Sequence, residues 1–226
     1  FSAGIDITIN NLNNYGLAFT GTRKHEDETW HTVVQKNGLN IAWLACTYGT
    51  NGIPDKKHQV LNCFNDQNTI FNLIKDIHTN YKADGVIITP HWGNEYENQP
   101  SKQEQLLAKK FIESGALAII GSHPHVAQPV VIEKDTNGVS HLVAYSLGNF
   151  VSGQRKRLST RGGIGLEIGL IKKNNKLIIN AYRVIGMEMK NNPEWSINII
   201  CDQEKSELKN HLNKISGAGN DWININ

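Results

Sequence analysis

Two short, wholly apolar runs in the middle of the chain constrain its fold more than any other feature. They are residues 85–89 (GVIIT) and 116–120 (ALAII), and each follows a segment whose apolar residues recur at helical spacing. Strands without polar residues are typical of a sheet covered on both faces. Alternation of helix and strand predicts βαβ units, whose right-handed crossovers make the strands parallel.

The two helical segments carry start signals that strengthen this prediction. In the first, residues 65–81, Ile70, Leu73, Ile74 and Ile77 share one face, and Asp66 or Asn65 is positioned as the N-cap. In the second, Ser101 and Glu104 have the spacing of a capping box, and Gly115 follows the last turn. We therefore expect one mixed α/β domain over residues 1–226.

The other predicted elements are a strand at 4–10 (GIDITIN), a strand at 39–54 that runs into a loop, hairpins around Asn137-Gly138 and Asn174-Asn175, and a helix over 202–216 with Asp202 as N-cap.

The charge and cysteine content of the sequence limit the kinds of partner and cross-link that we expect. The 226 residues carry a formal net charge of +2, so the sequence predicts no nucleic-acid partner. The densest basic patch is Arg155, Lys156, Arg157 and Arg161, which is either a solvated loop or a contact for an anionic substrate. Three cysteines without CxxC spacing predict no disulfide framework, and Cys46 is expected to be a small buried hydrophobe. No run approaches the roughly 18 apolar residues of a membrane-spanning helix.

Three histidines follow the two apolar strands directly. His91 comes after the first, and His123 and His125 follow the second in the turn GSHPH. Parallel strands end at one edge of the sheet, where ligands bind in open α/β folds, and imidazole is the commonest metal-ligating side chain. Glu95 is then either a ligand or general acid/base, or a loop carboxylate paired with a lysine. Asn149 (SLGNF) either contacts a metal or substrate, or serves the turn.

Several separate motifs, in order, resemble one known family. HWGNEY, GSHPHV and SLGNF, with AGIDITINN and FTGT…NGLNIAWLACTYGTNG upstream, are similar to poly-γ-glutamate capsule biosynthesis proteins of the CapA type. The resemblance covers roughly residues 1–155. It implies a fold of the calcineurin-like metallophosphoesterase type: α/β, a four-layer α/β/β/α sandwich with two mixed sheets flanked by helices.

The resemblance also implies a site and a role. The site would hold one or two divalent transition metal ions (Mn, Fe, Zn or Ni) and hydrolyse a phosphoester-like bond. The alternative is a non-catalytic protein that binds or anchors an anionic polymer. The partners would be an anionic small molecule or polymer and membrane capsule-synthesis proteins. The location would be the extracytoplasmic cell envelope, with any membrane anchor outside these residues. The implied residues are His91, His123, His125 and Asn11 for metal, His123 and Glu95 for catalysis, and Asn149 for substrate. The basic patch adds Arg155 and Arg157 as predicted substrate contacts.

The sequence departs from the family pattern near its start. The strand ending in Gly-Asp and the Asn-Leu-Glu motif that normally open the domain are absent. The Asn-Asn-His motif appears as INNLNN, in which Asn10 and Asn11 match the asparagines but Leu12 stands at the histidine position. The helix that normally follows is also missing. We therefore expect the N-terminal metal motifs to be incomplete in the 226 residues.

Overall fold

A computed structural model describes residues 2–191, 194–201, 203 and 205–225. Its helices are α1 (Ser2–Asn14), α2 (Gln67–Asn80), α3 (Lys102–Glu113) and α4 (Glu207–Ser216), with a short 3₁₀ helix at Leu158–Thr160. Its strands are β1 (His31–Lys36), β2 (Leu39–Thr47), β3 (Gly85–His91), β4 (Ala116–Ile120), β5 (Val130–Lys134), β6 (Ser140–Ala144), β7 (Gly162–Lys173), β8 (Lys176–Asn191), β9 (Trp195–Ile199) and β10 (Ile223–Asn224).

The strands form two sheets. The first has the order β1-β2-β3-β4-β6-β5, in which β2, β3, β4 and β6 are parallel and the two outer strands are antiparallel. The second has the order β10-β8-β7, and β9 also pairs with β8; these pairings are antiparallel. The βαβ prediction is confirmed, as are both hairpins. The α/β fold with two sheets flanked by helices is therefore the observed architecture.

Two apolar clusters hold these layers together. In one, α2 and α3 cover the outer face of the first sheet, with Ile74 and Phe111 fully buried against strand residues such as Ile88. The capping box of α3 is formed as predicted, because Ser101 Oγ accepts from the Glu104 N–H while Glu104 accepts from the Ser101 N–H. In the other, the inner face of the first sheet packs on β7, β8 and α4.

Three sequence-based assignments are corrected by the structure. Residues 4–10 were expected to be a strand, but they lie in α1. Ile5 and Ile9 are one helical turn apart, and Ile9 is buried whereas Ile7 is 59% exposed, so helical spacing outweighs the alternating pattern.

The C-terminal helix begins at Glu207 rather than near residue 202. Its N-cap is Ser206, whose Oγ accepts from the Lys209 N–H, and the predicted cap Asp202 lies outside the described residues. Strands β1, β9 and β10 were not predicted.

Cysteine was expected to form no disulfide framework, and Cys46 to be a small buried hydrophobe; Cys46 is buried, but it forms a disulfide. Cys46, at the end of β2, is bonded to Cys63 in the loop before α2, and both are buried. Backbone hydrogen bonds run between Thr47 and Leu61 and between Cys63 and Thr47, so the bond joins segments that already lie side by side. Cys201 is free and exposed. No helix in the described part of the chain has the length and apolarity needed to cross a bilayer.

Candidate functional site

The carboxyl ends of the parallel strands bring the three predicted histidines together. Thr47 pairs with His91 across β2 and β3, and His91 bridges to Ser122, which follows β4. His123 and His125 come next, and Asn149 follows β6. We call the group of His91, His123 and His125 the histidine edge.

His91 and His123 face each other through ring nitrogens. Nε2 of His91 lies 3.1 Å from Nδ1 of His123, and Nδ1 of His91 lies 3.1 Å from the Ser122 hydroxyl. The Tyr48 ring covers this pair, with centroids 4.5 Å from His123 and 6.1 Å from His91. Tyr48 also donates its backbone N–H to the His91 carbonyl. Tyr48 is thus a residue of this site that the sequence interpretation missed, although it follows β2 directly, just as His91 ends β3 and His123 lies shortly after β4.

His125 is oriented by the buried side chain of Asn149. The Asn149 Nδ2 donates to the Thr160 carbonyl, so its Oδ1 accepts from His125 Nδ1 at 2.9 Å. This hydrogen bond assigns the proton of a neutral His125 to Nδ1 and leaves the lone pair on Nε2. Glu95 Oε1 lies 4.0 Å from that Nε2. The predicted Glu95 therefore lies beside His125. Both the oxygen and the nitrogen of the Asn149 side-chain amide already have hydrogen-bond partners within the protein.

Three residues at or beside this edge have unusual backbone conformations. His123 has a φ of 111° and His125 a φ of 61°, a region that residues other than glycine seldom occupy. Tyr96, on the neighbouring loop, has a φ of 68° and donates its N–H to the Pro124 carbonyl at 2.7 Å. Such conformations cost roughly 1–3 kcal/mol each and cluster at functional sites. Their presence here supports a functional use of the two histidine loops.

The pKa values of the paired histidines are lowered, which favours their neutral forms. Desolvation is the main cause for His91, although the residue keeps an exposed surface, with smaller contributions from His123 and His125. Burial also lowers the pKa of His123, and the Glu95 carboxylate opposes that shift. Neutral imidazoles have free lone pairs, which is the form that binds metal ions.

Close packing beneath the histidine edge requires glycine at position 121. A Cβ there would stand 2.0 Å from the Tyr145 carbonyl oxygen and 2.6 Å from Trp92 Nε1. Trp92 is fully buried, and its Nε1 donates to that same carbonyl at 2.9 Å. The aromatic residue of the HWG loop therefore connects the end of β3 to the end of β6 directly beside Gly121, where a side chain would not fit.

Gly121→Ala is expected to lower the free energy of unfolding by about 3 kcal/mol, because overpacking against backbone atoms is costly. Gly49→Ala is the matched control, since a Cβ at Gly49 meets nothing within 4 Å. Urea denaturation of both variants measures the difference. Equal stability of the two variants would contradict the packing argument.

The spacing of the ring nitrogens at the histidine edge is partly compatible with a bound metal ion. Two nitrogens bound to one transition metal ion at about 2.1 Å stand about 3.0–3.4 Å apart for octahedral to tetrahedral angles. The 3.1 Å between His91 Nε2 and His123 Nδ1 falls in this range. Over the described ranges, however, no group of three His, Cys, Asp or Glu side chains is arranged to hold an ion. His91 and His123 thus supply two donors, with His125 Nε2 nearby.

The other predicted site residues are placed differently. Asn11 is an exposed residue of α1, and no contact described for it reaches the histidine edge. Arg155 donates from Nη1 to the Met189 carbonyl at 2.8 Å, so this guanidinium is partly engaged within the fold. Arg157 lies over the Tyr96 ring at 4.5 Å.

Comparison with known proteins places the chain in a family. The profile of the family described as "Bacterial capsule synthesis protein PGA_cap" matches residues 2–154, about two thirds of the chain. The chain belongs to this family. The membership confirms the resemblance inferred from the HWGNEY, GSHPHV and SLGNF motifs, and a metallophosphoesterase-type fold is consistent with it.

Two curated relatives carry names that agree with the family. "Capsule biosynthesis protein CapA" of Bacillus anthracis is 44% identical over 72 residues, which are 32% of this chain and 16% of that protein. "PGA biosynthesis protein CapA" of Bacillus subtilis (strain 168) is 34% identical over 119 residues, which are 52% of this chain and 30% of that protein. The chain thus matches less than a third of the length of either relative.

Solved structures give weaker similarities. The NAD nucleotidase NadN of Haemophilus influenzae has a TM-score of 0.47 at 12% identity, covering 84% of this chain and 34% of that one. A hypothetical protein from Thermus thermophilus has a TM-score of 0.42 at 12% identity, covering 78% of this chain and 66% of that one. At TM-scores below 0.5 neither similarity carries an argument.

Proposed function

We propose that this chain contributes a metal-dependent, phosphoesterase-like hydrolase site to poly-γ-glutamate capsule synthesis. The observation that carries the proposal is the pair of neutral histidines, His91 and His123, with ring nitrogens 3.1 Å apart at the ends of parallel strands. Family membership supports the capsule role, and the name of the B. subtilis relative supports the polymer.

In this proposal His91 and His123 would supply two of the donors to one or two divalent transition metal ions such as Mn, Fe, Zn or Ni, with His125 as the third predicted ligand. Nitrogen and carboxylate donors suit these metals about equally well. Asn11 remains a predicted ligand from the family motif. A bound ion would polarise the ester and activate a water.

Side chains around the three histidines would orient their rings and transfer protons. Asn149 fixes the ring of His125 and directs its Nε2 lone pair away from the core. Glu95, whose side chain is 49% exposed, stands 4.0 Å from that nitrogen and is placed to take or return a proton. Tyr48 covers His91 and His123 on one side and limits their movement.

The disulfide supports an extracytoplasmic location in the cell envelope. Bonds such as Cys46–Cys63 persist in oxidising compartments and are rare in the cytosol of most organisms. Membrane capsule-synthesis proteins are the proposed partners, and an anionic small molecule or polymer the proposed substrate.

Metal content and hydrolysis test the proposal together. The purified chain is loaded separately with Mn, Zn, Ni and Fe(II), desalted, and analysed by inductively coupled plasma mass spectrometry. Each sample is then assayed with p-nitrophenyl phosphate and bis-p-nitrophenyl phosphate. We expect one or two ions per chain and hydrolysis that chelator abolishes. Retention of no metal, together with no hydrolysis, would contradict a hydrolase site.

A second candidate function is non-catalytic binding of an anionic polymer through the same region. Its supporting observation is the set of cationic side chains that follows the SLGNF motif beside the histidine edge. A chain that binds the polymer but hydrolyses neither ester would favour this alternative.

A further inference from the structure

A cationic cavity adjoins the histidine edge. It has a volume of about 420 Å³ and is lined by Tyr96, residues 153–157 and Thr160. Arg155, Lys156 and Arg157 are consecutive in its wall. We call this cavity the cationic pocket.

No ion pair within the described part of the chain neutralises Lys156 or Arg157. The ion pairs found among the described residues involve other cations, and neither Lys156 nor Arg157 is in one. Both residues are exposed. Arg155 differs, because its guanidinium donates to the Met189 carbonyl. The charges available to a ligand are therefore those of Lys156 and Arg157.

The wall of the pocket is organised by its own hydrogen bonds. The buried Thr160 hydroxyl is within 2.9 Å of the Gln154 carbonyl and 3.0 Å of the Arg157 carbonyl. Arg161 Nε donates to the Arg155 carbonyl at 3.1 Å. A loop held in this way loses little conformational entropy when it binds a ligand.

Two contacts join the pocket to the histidine edge. Tyr96 lies between them, with Arg157 over its ring at 4.5 Å and the His125 ring stacked 6.0 Å away. Asn149 makes the second connection, since it accepts from His125 and donates to Thr160. The Tyr96 backbone, held at a φ of 68°, keeps its ring in this position.

We propose that the cationic pocket is an anion-binding subsite, in which Lys156 and Arg157 bind a carboxylate or phosphate group of an extended ligand. Tyr96 forms the wall between this group and the part of the ligand that reaches His125. Arginine matches the planar geometry of both anions, and lysine adds a point charge. The reach to His125 rests on the proposed function; the binding of an anion does not.

Binding of two defined probes tests the subsite. Oligo-γ-glutamate of about ten residues supplies carboxylates, and inorganic triphosphate supplies phosphates. Isothermal titration calorimetry with the 226-residue chain is run at low and high NaCl. We expect at least one probe to bind, more weakly at high salt because exposed charges are screened. The probe that binds more tightly identifies the anion. Binding of neither probe overturns the proposal.

Matched variants locate the binding. Lys156→Gln/Arg157→Gln should weaken the affinity at least about tenfold, since charge-assisted hydrogen bonds are lost. Lys109→Gln/Lys110→Gln removes the same charge from exposed positions of α3 and should leave the affinity within about twofold, because those residues do not line the pocket and exposed charges are screened. Equal losses in both variants would show unspecific attraction and would overturn the subsite.

Metal analysis separates this proposal from the preceding one. Lys156→Gln/Arg157→Gln should keep the metal content of the wild type, so loss of anion affinity alone supports the subsite even if no hydrolysis is found. A wild type that holds metal but binds neither probe overturns the subsite and leaves the hydrolase proposal standing.

Discussion

His123→Gly is expected to lower metal-dependent phosphoester hydrolysis by about 100-fold or more without unfolding the chain. It removes one of the two nitrogens that lie 3.1 Å apart at the histidine edge. Loss of a single metal contact, or of a group that stabilises the charge developing in the transition state, commonly lowers the reaction rate by about this factor. Bound metal should fall with activity, as measured by mass spectrometry after desalting.

The stability of this variant separates function from folding. The φ of 111° at His123 is strained for any residue with a side chain, and glycine relieves roughly 1–3 kcal/mol of such strain. Glycine also costs roughly 0.5–1 kcal/mol through its freedom in the unfolded chain. The free energy of unfolding should therefore be unchanged or up to about 2 kcal/mol higher.

His58→Gly is the matched control for His123→Gly. His58 is exposed, has a φ of 50° and lies outside the histidine edge, so it tests the same substitution at another residue with a positive φ. This variant should keep wild-type metal content and hydrolysis. If His123→Gly retains metal at the wild-type ratio, His123 is not a ligand and the proposed site loses its main support.

Cys46→Ala/Cys63→Ala is expected to lower the free energy of unfolding by about 3 kcal/mol. The two cysteines are 17 positions apart, and closing a loop of this size restricts the unfolded chain by about that amount. The enclosed loop contains Tyr48, which covers His91 and His123. We therefore also expect weaker metal affinity in this variant.

Guanidinium denaturation with and without reductant measures the effect. Cys201→Ala removes the exposed free thiol and should change stability by less than about 0.5 kcal/mol, as surface substitutions usually do. Thiol titration of the denatured, unreduced wild type should find one free thiol per chain. Three free thiols, or a double variant as stable as the wild type, would contradict the prediction.

Local signals explain which parts of this fold were predictable. The Ser101–Glu104 capping box and the Asn137-Gly138 turn act within a few residues, so they can be recognised in the sequence alone. The histidine edge was also predictable, because parallel strands end together whatever their exact register. The prediction for residues 4–10 failed because the pattern of isoleucines fits two periodicities, and the burial of Ile9 that decides between them is tertiary.

Other features depend on contacts that sequence spacing does not reveal. The Cys46–Cys63 bond forms because the loop returns beside the end of β2, as the pairing of Thr47 with Asn62 shows. Tyr48 was missed because the strand-end argument was applied to β3 and β4 only. The structural contact of Arg155 could not be anticipated, since its acceptor, the Met189 carbonyl, lies 34 positions away.

The assembly of the histidine edge also bears on how the chain folds. Tyr48, His91, His125 and Asn149 come from four segments spread over about a hundred residues, joined by parallel strands that require non-local pairing. Folds rich in such pairings form slowly, because loop closure precedes the contacts that stabilise it. During synthesis the histidine edge cannot gain the hydrogen bond that orients His125 until Asn149 has left the ribosome. Before that point His123 and His125 are the only members that are close in sequence, so the nascent chain presents an incomplete site.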